Sequence, residues 1–231
     1  MKRDIVDSLL QARRDKKPVA LLRWLENGRQ QLVVPGEGDD GLQAAAQSVV
    51  LEALRRDRGL TVETDEGPLF VQPFNPALRL IVVGAVHIAQ AFVPMASLSG
   101  YDVTVVDPRR AFANDQRFPG VAVSQEWPDD ALNELSPDAR TAIVTLTHDP
   151  KLDDPALDVA LRSEAFYIAS LGSRRTHAAR LKRLSDLGHG EENLKRIHGP
   201  AGLDLGAVSP AEIAVSILAQ MTEVLRKTVA T

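Results

Sequence analysis

The sequence contains no cysteine in its 231 residues. Disulfides, thiolate metal sites, cysteine nucleophiles and persulfide carriers are therefore excluded within this chain. Net charge is also scarce, at −4, so no global field draws the chain to nucleic acid or to an anionic membrane. It has no run of about 18 apolar residues, the length from which a membrane span is read. Its opening, MKRDIVDSLLQARRDKK, is charged throughout, where a signal peptide would carry an apolar stretch. No membrane span and a cytoplasmic location are expected. Several catalytic signatures are missing as well: there is no G-x-S-x-G elbow and no P-loop. His177, His189 and His198 fit no metal-ligand spacing, and HGEEN at 189–193 is not the H-E-x-x-H of zinc proteases.

What is present is ordinary for a globular protein, with 44% apolar and 25% charged residues. The length allows one large domain or two small ones, and a chain this long can bury enough surface to need no staples. Residues 3–14 suit a short helix, with Ile5, Leu9 and Leu10 on one side. Two apolar runs then flank Asn27-Gly28, the pair that best tolerates a type I′ hairpin turn. Residues 41–57 carry Leu42, Ala45, Val49, Ala53 and Leu54 at helical spacing. LTVETDEGPLFVQPF reads as a second hairpin turning near Asp65-Glu66-Gly67. This is a small α+β domain over residues 1–75, bounded by the prolines around FNPAL.

From residue 76 to 231 the pattern changes. Apolar runs at 78–84, 101–106, 141–146 and 165–171 alternate with helical stretches near 87–98, 128–135, 154–163 and 174–187, and VAV at 121–123 suits an extra strand. Strands alternating with crossover-length helices imply parallel pairing. Their almost wholly apolar character fits a sheet covered by helices on both faces. The expected fold is α/β: a Rossmann-like parallel sheet behind a small α+β domain. The last helix is placed by a capping box of Ser209 and Glu212, with Pro210 at the first helical position. Its apolar stripe, Ile213, Ile217, Met221 and Val224 widened by Val215, Leu218 and Leu225, fits either ordinary core packing or a subunit interface. A homo-oligomer is the expectation.

Three places could carry chemistry. The first is LIVVGAVHIAQAF. A strand ends at Gly84 and a helix follows, with His87 in its first turn and Ala89 behind it. Amides at such a helix start attract phosphate. Asp107 ends the next strand 23 residues later, near the spacing at which an acid grips a ribose hydroxyl. Yet the dinucleotide fingerprint G-x-G-x-x-G/A needs glycine at 86, where Val86 stands, and a Cβ there obstructs the pyrophosphate. NAD(P) or FAD in the usual pose is disfavoured. A ligand with one phosphate remains open, as does a scaffold without ligand. The second place is TLTHDPKLDD. Here His148 could donate a hydrogen bond, titrate or bind a metal, or Asp149 could orient the imidazole or cap the next helix. The third is LGSRRTHAARLKRL. Gly172, Ser173, Arg174 and Arg175 open a helix where the macrodipole disfavours cations, so an anionic partner explains the arginine pair; pairing with nearby acids would explain it too. Farther along, Arg180, Lys182 and Arg183 read as an exposed basic face, and the loop GPAGLDLGAVSPAE could close over a ligand or only connect elements.

Five segments in order, VVGAVHIAQAF, VTVVDPR, THDPKLD, YIASLGSRRTHAARL and GLDLGAVSPAEIAVSILAQM, resemble the XdhC/CoxI family of molybdenum-hydroxylase (xanthine dehydrogenase) accessory proteins. The likeness covers about two-thirds of the chain, residues 78–226. It implies a Rossmann-type domain and a non-enzymatic chaperone that binds molybdenum cofactor (molybdopterin) as cargo and assists its maturation and insertion into an apo-hydroxylase. It also implies that Gly84, His87, Asp107, His148, Gly172, Ser173, Arg174 and Arg175 line the site. Where relatives commonly have G-A-G-H, this chain has Gly84-Ala85-Val86-His87, and its N-terminal part is short and free of cysteine. A separate sulfurtransferase would then supply sulfur. The competing expectation is an NAD(P)-dependent oxidoreductase, supported by Gly84, Ala89 and Asp107 and opposed by Val86.

Overall fold

The structure, a computed structural model, describes residues 3–36 and 44–227. The chain divides into two compact units, Met1–Pro76 and Ala77–Thr231.

The first unit contains α1 (Arg3–Arg14), β1 (Val19–Trp24), β2 (Gln30–Val33), α2 (Ala44–Arg56), β3 (Leu60–Thr64) and β4 (Gly67–Phe74). Both hairpins form, and β4 pairs antiparallel with β1 as well as β3. The hairpins therefore fuse into one sheet, ordered β2-β1-β4-β3. Helix α2 packs Val50, Ala53 and Leu54 against Ala20, Leu22, Leu69 and Val71 of that sheet. Leu42 of the expected helix lies outside the described residues. The first turn is not type I′. Only Gly28 has positive φ, and the Arg29 N–H is taken by Asn27 Oδ1 at 2.8 Å, so the loop is longer than two residues.

The second unit runs β5 (Leu78–Val83), α3 (His87–Leu98), β6 (Tyr101–Val106), β7 (Ala122–Ser124), α4 (Pro128–Leu135), β8 (Thr141–Thr145), α5 (Pro150–Arg162), β9 (Tyr167–Ser170), α6 (Arg174–Asp186), α7 (Glu191–Leu194), β10 (Ile197–His198) and α8 (Pro210–Lys227). All its strand pairs are parallel. The order is β10-β9-β8-β5-β6-β7, so the chain winds outward from β5, returns, and winds the other way from β8. Strand order reverses between β5 and β8, the switch point at which such sheets bind ligands.

Side-chain alternation explains the two layers. Leu80, Val82, Val103, Val105 and Val144 point to one face, where Phe92, Val93 and Ala96 of α3 and Ile217 and Met221 of α8 cover them. Ile81, Val83, Val106 and Ile143 point to the other, under Leu132 of α4, Leu157 and Leu161 of α5 and Leu184 of α6. A period of two in strands that are apolar on both faces over most of their length, as over residues 80–83, is the signature of a sheet covered on both sides.

Three elements depart from expectation, one of them the single-turn helix α7, which the sequence reading did not contain. Helix α5 begins at Pro150 rather than 154, because Asp149 accepts the Lys151 N–H at 3.0 Å and Pro150 fits the first position. Strand β10, two residues long, gives no periodic signal to read. The capping box of α8 forms: Ser209 N–H donates to Glu212 Oε2 at 2.8 Å and Glu212 N–H to Ser209 Oγ at 3.3 Å. The wide apolar stripe of α8 is largely absorbed by the core, with Ile213, Leu218 and Val224 packed against it and Val215 left exposed. Among the described residues no helix is long and apolar enough to cross a membrane.

Phe92 is fully buried where α3 meets the sheet. Phe92→Ala is expected to lower unfolding free energy by about 3–5 kcal/mol, from lost transfer energy plus a cavity. A urea titration checks this; an unchanged midpoint would contradict the packing.

Candidate functional site

Strands β5, β8 and β9 end in register, Val83 opposite Thr145 and Thr145 opposite Ser170. The ladder continues one step beyond them, with Leu146 N–H donating to Val83 at 2.8 Å and Leu171 N–H to Thr145 at 2.9 Å. The loops that start at Gly84, Leu146 and Leu171 thus leave the same carboxyl edge side by side. This brings Gly84, His87, His148, Gly172, Ser173, Arg174 and Arg175 to one rim of the sheet.

The first loop is tightly closed. Gly84 has φ +111, and a Cβ there would stand 2.6 Å from Thr147 Cγ2, so only glycine lets this loop lie against the next one. Asp107 is placed differently from the sequence expectation. It is 0% exposed and accepts four N–H groups. The Ala85 amide (2.8 Å) and Arg109 Nη2 (2.7 Å) meet Oδ2. The Arg109 amide (3.0 Å) and Nε (2.9 Å) meet Oδ1. Both oxygens are committed within the protein, so Asp107 is a clamp on the loop rather than a hand for ribose or pterin. Burial by itself would raise its pKa, but the bonds from Arg109 and Ala85 win and hold it below the usual carboxylate range. Arg117 adds a second latch, donating to the Ala85 carbonyl at 2.7 Å and to Gln90 Oε1 at 3.0 Å. Val86 is half-buried against the core and caps α3 without a side-chain hydrogen bond. His87 begins α3 and is exposed.

The second loop carries His148, exposed and in the left-handed region at φ +61. That backbone is uncommon for a residue with a side chain and marks a locally imposed turn. Asp149 does not hold the imidazole; it caps α5. Thr147 Oγ1 donates to Asp153 Oδ1 at 2.6 Å. Asp153 is buried beside Arg180, whose Nη2 lies 3.8 Å from Asp153 Oδ2 and donates to the Leu171 carbonyl at 2.9 Å. Burial lifts Asp153 above the usual carboxylate range and pushes the Arg180 guanidinium down. The reading of Arg180 as part of an exposed basic face is corrected: it is 2% exposed, one turn before the buried Leu184 on the same helix face. Arg183 is half-buried and pairs with Asp154. Arg117, Asp153 and Arg180 all escaped the sequence reading. For Arg180 the signal was its i,i+4 spacing to Leu184.

At the third loop, Ser173 caps α6, its Oγ accepting the Thr176 N–H at 3.1 Å, so this hydroxyl has a structural task. Arg174 and Arg175 are exposed, and among the described residues neither guanidinium has a hydrogen-bond or ion-pair partner. Pairing with neighbouring acids is thus not what keeps two cations at this helix start. Beside Arg174 a cavity of about 330 Å³ opens beyond the ends of β9 and β10. Leu171, Arg174, Ala201, Asp204, Ile213 and Ser216 help to line it. Among the described residues no cluster of three or more His, Asp or Glu could hold a metal ion.

Asp107→Asn is expected to cost about 1–3 kcal/mol at pH 7, since its amide cannot accept all the N–H groups that converge there. Because folding depresses the Asp107 pKa, its contribution is present above the unfolded carboxylate range and is lost as pH falls through the folded value. The stability gap between wild type and variant should therefore shrink on acidification below about pH 4. Urea titrations at pH 7 and pH 3.5 check this; a gap that widens toward acid would refute the clamp.

A family model described as the XdhC Rossmann domain matches residues 80–221. The chain is 32% identical over 151 residues to the molybdenum cofactor insertion chaperone PaoD of Escherichia coli K12, covering 65% of this chain and 41% of that protein. It is 33% identical over 163 residues to a probable xanthine dehydrogenase subunit of Bacillus subtilis 168, covering 69% of this chain and 46% of that one. It is 32% identical over 167 residues to the uncharacterized protein YqeB of Escherichia coli K12, covering 68% and 29% respectively. The chain thus spans less than half the length of these curated relatives. Among solved structures, a crystal structure described as a xanthine dehydrogenase from Bacillus halodurans has a TM-score of 0.73 at 22% identity, covering 97% of this chain and 65% of that one. That likeness concerns the fold. With more than half of its residues matching the XdhC Rossmann model, and with the closed first loop and parallel sheet described above, the chain belongs to the XdhC family.

Proposed function

We propose that this protein is a carrier of molybdenum cofactor. It binds the phosphorylated pterin at the carboxyl edge of the parallel sheet and passes it to an apo-hydroxylase of the xanthine dehydrogenase kind. The observation that carries this reading is the unpartnered pair Arg174 and Arg175 at the start of α6, the first of them lining a cavity of about 330 Å³. Guanidinium groups meet phosphate oxygens in bidentate geometry, and the cavity falls at the lower end of the range for small-molecule sites. The names of the relatives supply the cargo and the recipient: one is a molybdenum cofactor insertion chaperone and another a probable xanthine dehydrogenase subunit.

Each rim residue has a role in this reading. Arg174 and Arg175 hold the phosphate. Gly84 and Gly172 let the backbone of their loops pass close to its neighbours. His87 and His148, both exposed on the rim, face the dithiolene end as hydrogen-bond donors or proton carriers. Ser173 contributes by capping α6, and Asp107 by fixing the first loop. No bond of the cargo is made or broken by this chain. Without cysteine it offers no persulfide, so sulfur for maturation comes from a separate sulfurtransferase. The nicotinamide reading loses its main support, because the acid that would grip ribose is sealed under Arg109 and Ala85.

The test is co-isolation. Protein purified from a cell that makes molybdenum cofactor should carry a pterin, detected by its fluorescence after oxidation. Replacing both arginines, Arg174→Ala with Arg175→Ala, should weaken pterin binding about ten- to a hundred-fold, the range for lost charge-assisted contacts. Binding equal to wild type would overturn the cradle. Micromolar binding of NADH in a fluorescence titration would overturn the carrier reading in favour of an oxidoreductase.

A further inference from the structure

The glycine-rich loop of residues 199–208 has no role in the function proposed so far, yet it forms one wall of the cavity beside Arg174. Its base is firmly built. Gln220 Oε1 accepts both the Gly202 N–H at 2.9 Å and the Tyr167 hydroxyl at 2.6 Å. Ala201 N–H donates to the Ser170 carbonyl and Leu203 N–H to that of Ser216, each at 3.1 Å. Gly202 sits at φ +95, and a Cβ there would come within 2.3 Å of Ser216 Oγ. The loop is therefore pressed onto α8 in a way only glycine permits. This anchored base presents Asp204, which lines the cavity and is exposed. Among the described residues its carboxylate has no hydrogen-bond or ion-pair partner.

The cavity thus offers a free cation, Arg174, and a free anion, Asp204, that are not paired with one another. Leu171, Ala201 and Ile213 supply apolar lining. A ligand complementary to all three is apolar in its body, anionic where it meets Arg174, and has hydrogen-bond donors where it meets Asp204. A carboxylate accepts two parallel N–H bonds well, as it does from a guanidinium. The 2-amino group and adjacent ring N–H of a 2-aminopyrimidin-4-one present that same pair of donors.

We propose that Asp204 is the specificity residue of this site: its carboxylate reads the 2-aminopyrimidin-4-one edge of a heterocycle whose anionic substituent is held by Arg174. Pterins and guanine both display this edge. The inference rests on the carrier reading for its cargo and takes over the task that Asp107 cannot perform.

The test uses the full chain and three probes: pterin 6-carboxylate, lumazine 6-carboxylate and GMP. In lumazine an oxygen replaces the 2-amino group, which turns a donor into an acceptor facing Asp204. Wild type should prefer the pterin over the lumazine by about ten-fold or more, the worth of a hydrogen bond to a charged group. Asp204→Asn should bring the two within about three-fold, with an unchanged thermal midpoint because the side chain is exposed and unpartnered. Arg174→Ala should weaken both probes alike and leave the preference intact. A preference that survives Asp204→Asn would overturn the inference while leaving the carrier reading in place. GMP bound more tightly than the pterin, and weakened by Asp204→Asn, would support the inference and overturn the pterin cargo. Wild type binding none of the three would overturn both.

Discussion

One buried carboxylate decides what this sheet edge can hold. Asp107 takes the amide of Ala85, and Arg109 covers its remaining lone pairs with three N–H groups of its own. In a dinucleotide-binding fold the amides of this loop stay free for pyrophosphate and the acid at the end of the second strand stays free for ribose. Here the two satisfy each other. A buried carboxylate that stays ionised must be paired and hydrogen-bonded, and here that condition takes up the acid itself and the amide of Ala85. The fold keeps the Rossmann strand order while its second-strand acid is turned inward onto the first loop, and the free charges Arg174 and Asp204 lie farther along the edge, beyond β9 and β10.

The loops between those places are held from below. Thr147 hangs on Asp153, and the carbonyl of Leu171 on Arg180. The two buried side chains face each other at 3.8 Å, too far for a direct hydrogen bond. Desolvation shifts both away from their charged forms, upward for Asp153 and downward for Arg180. A pair of this kind is weak evidence of stability. Its worth is positional: it gives the second and third rim loops a common anchor between α5 and α6.

Much of this was legible in the sequence, for reasons specific to each element. The long strands of the second unit were readable because residues such as Leu80, Ile81, Val82 and Val83 are apolar without interruption, which only a doubly covered sheet explains. The last helix was readable because Ser209, Pro210 and Glu212 form a local motif whose partners are three residues apart. What escaped is what depends on distant partners. Asp107 sits at the spacing of a ribose-binding acid, and nothing nearby shows that Ala85, 22 residues away in sequence, takes one of its oxygens. Arg180 reads as surface because arginine usually is, and its burial depends on Asp153 of another helix. The fused hairpins needed the β1–β4 pairing, a long-range contact with no sequence mark. The loop that carries Asp204 could be read either as closing over a ligand or as a connector, because loops carry no periodicity to decide between them.

A carrier has a requirement that an enzyme does not share: its grip must hold the cargo in transit and yield at the recipient. Exposed ion pairs contribute little affinity each and are screened by salt, whereas a buried guanidinium–phosphate pair would be slow to release. Arg174 and Arg175 are of the exposed kind, and the buried arginine of the same helix, Arg180, is turned to Leu171 and Asp153 instead. Strong charge is thus kept for holding the scaffold, and weak, accessible charge is left at the rim. Selectivity in such an arrangement cannot come from the phosphate contact, which any phosphorylated metabolite satisfies. It must come from the shape of the cavity and from whatever donors and acceptors line its far side. In the proposed carrier that division would assign the discriminating chemistry to the loop anchored by Gly202 and Gln220, and leave the arginines to catch and to let go.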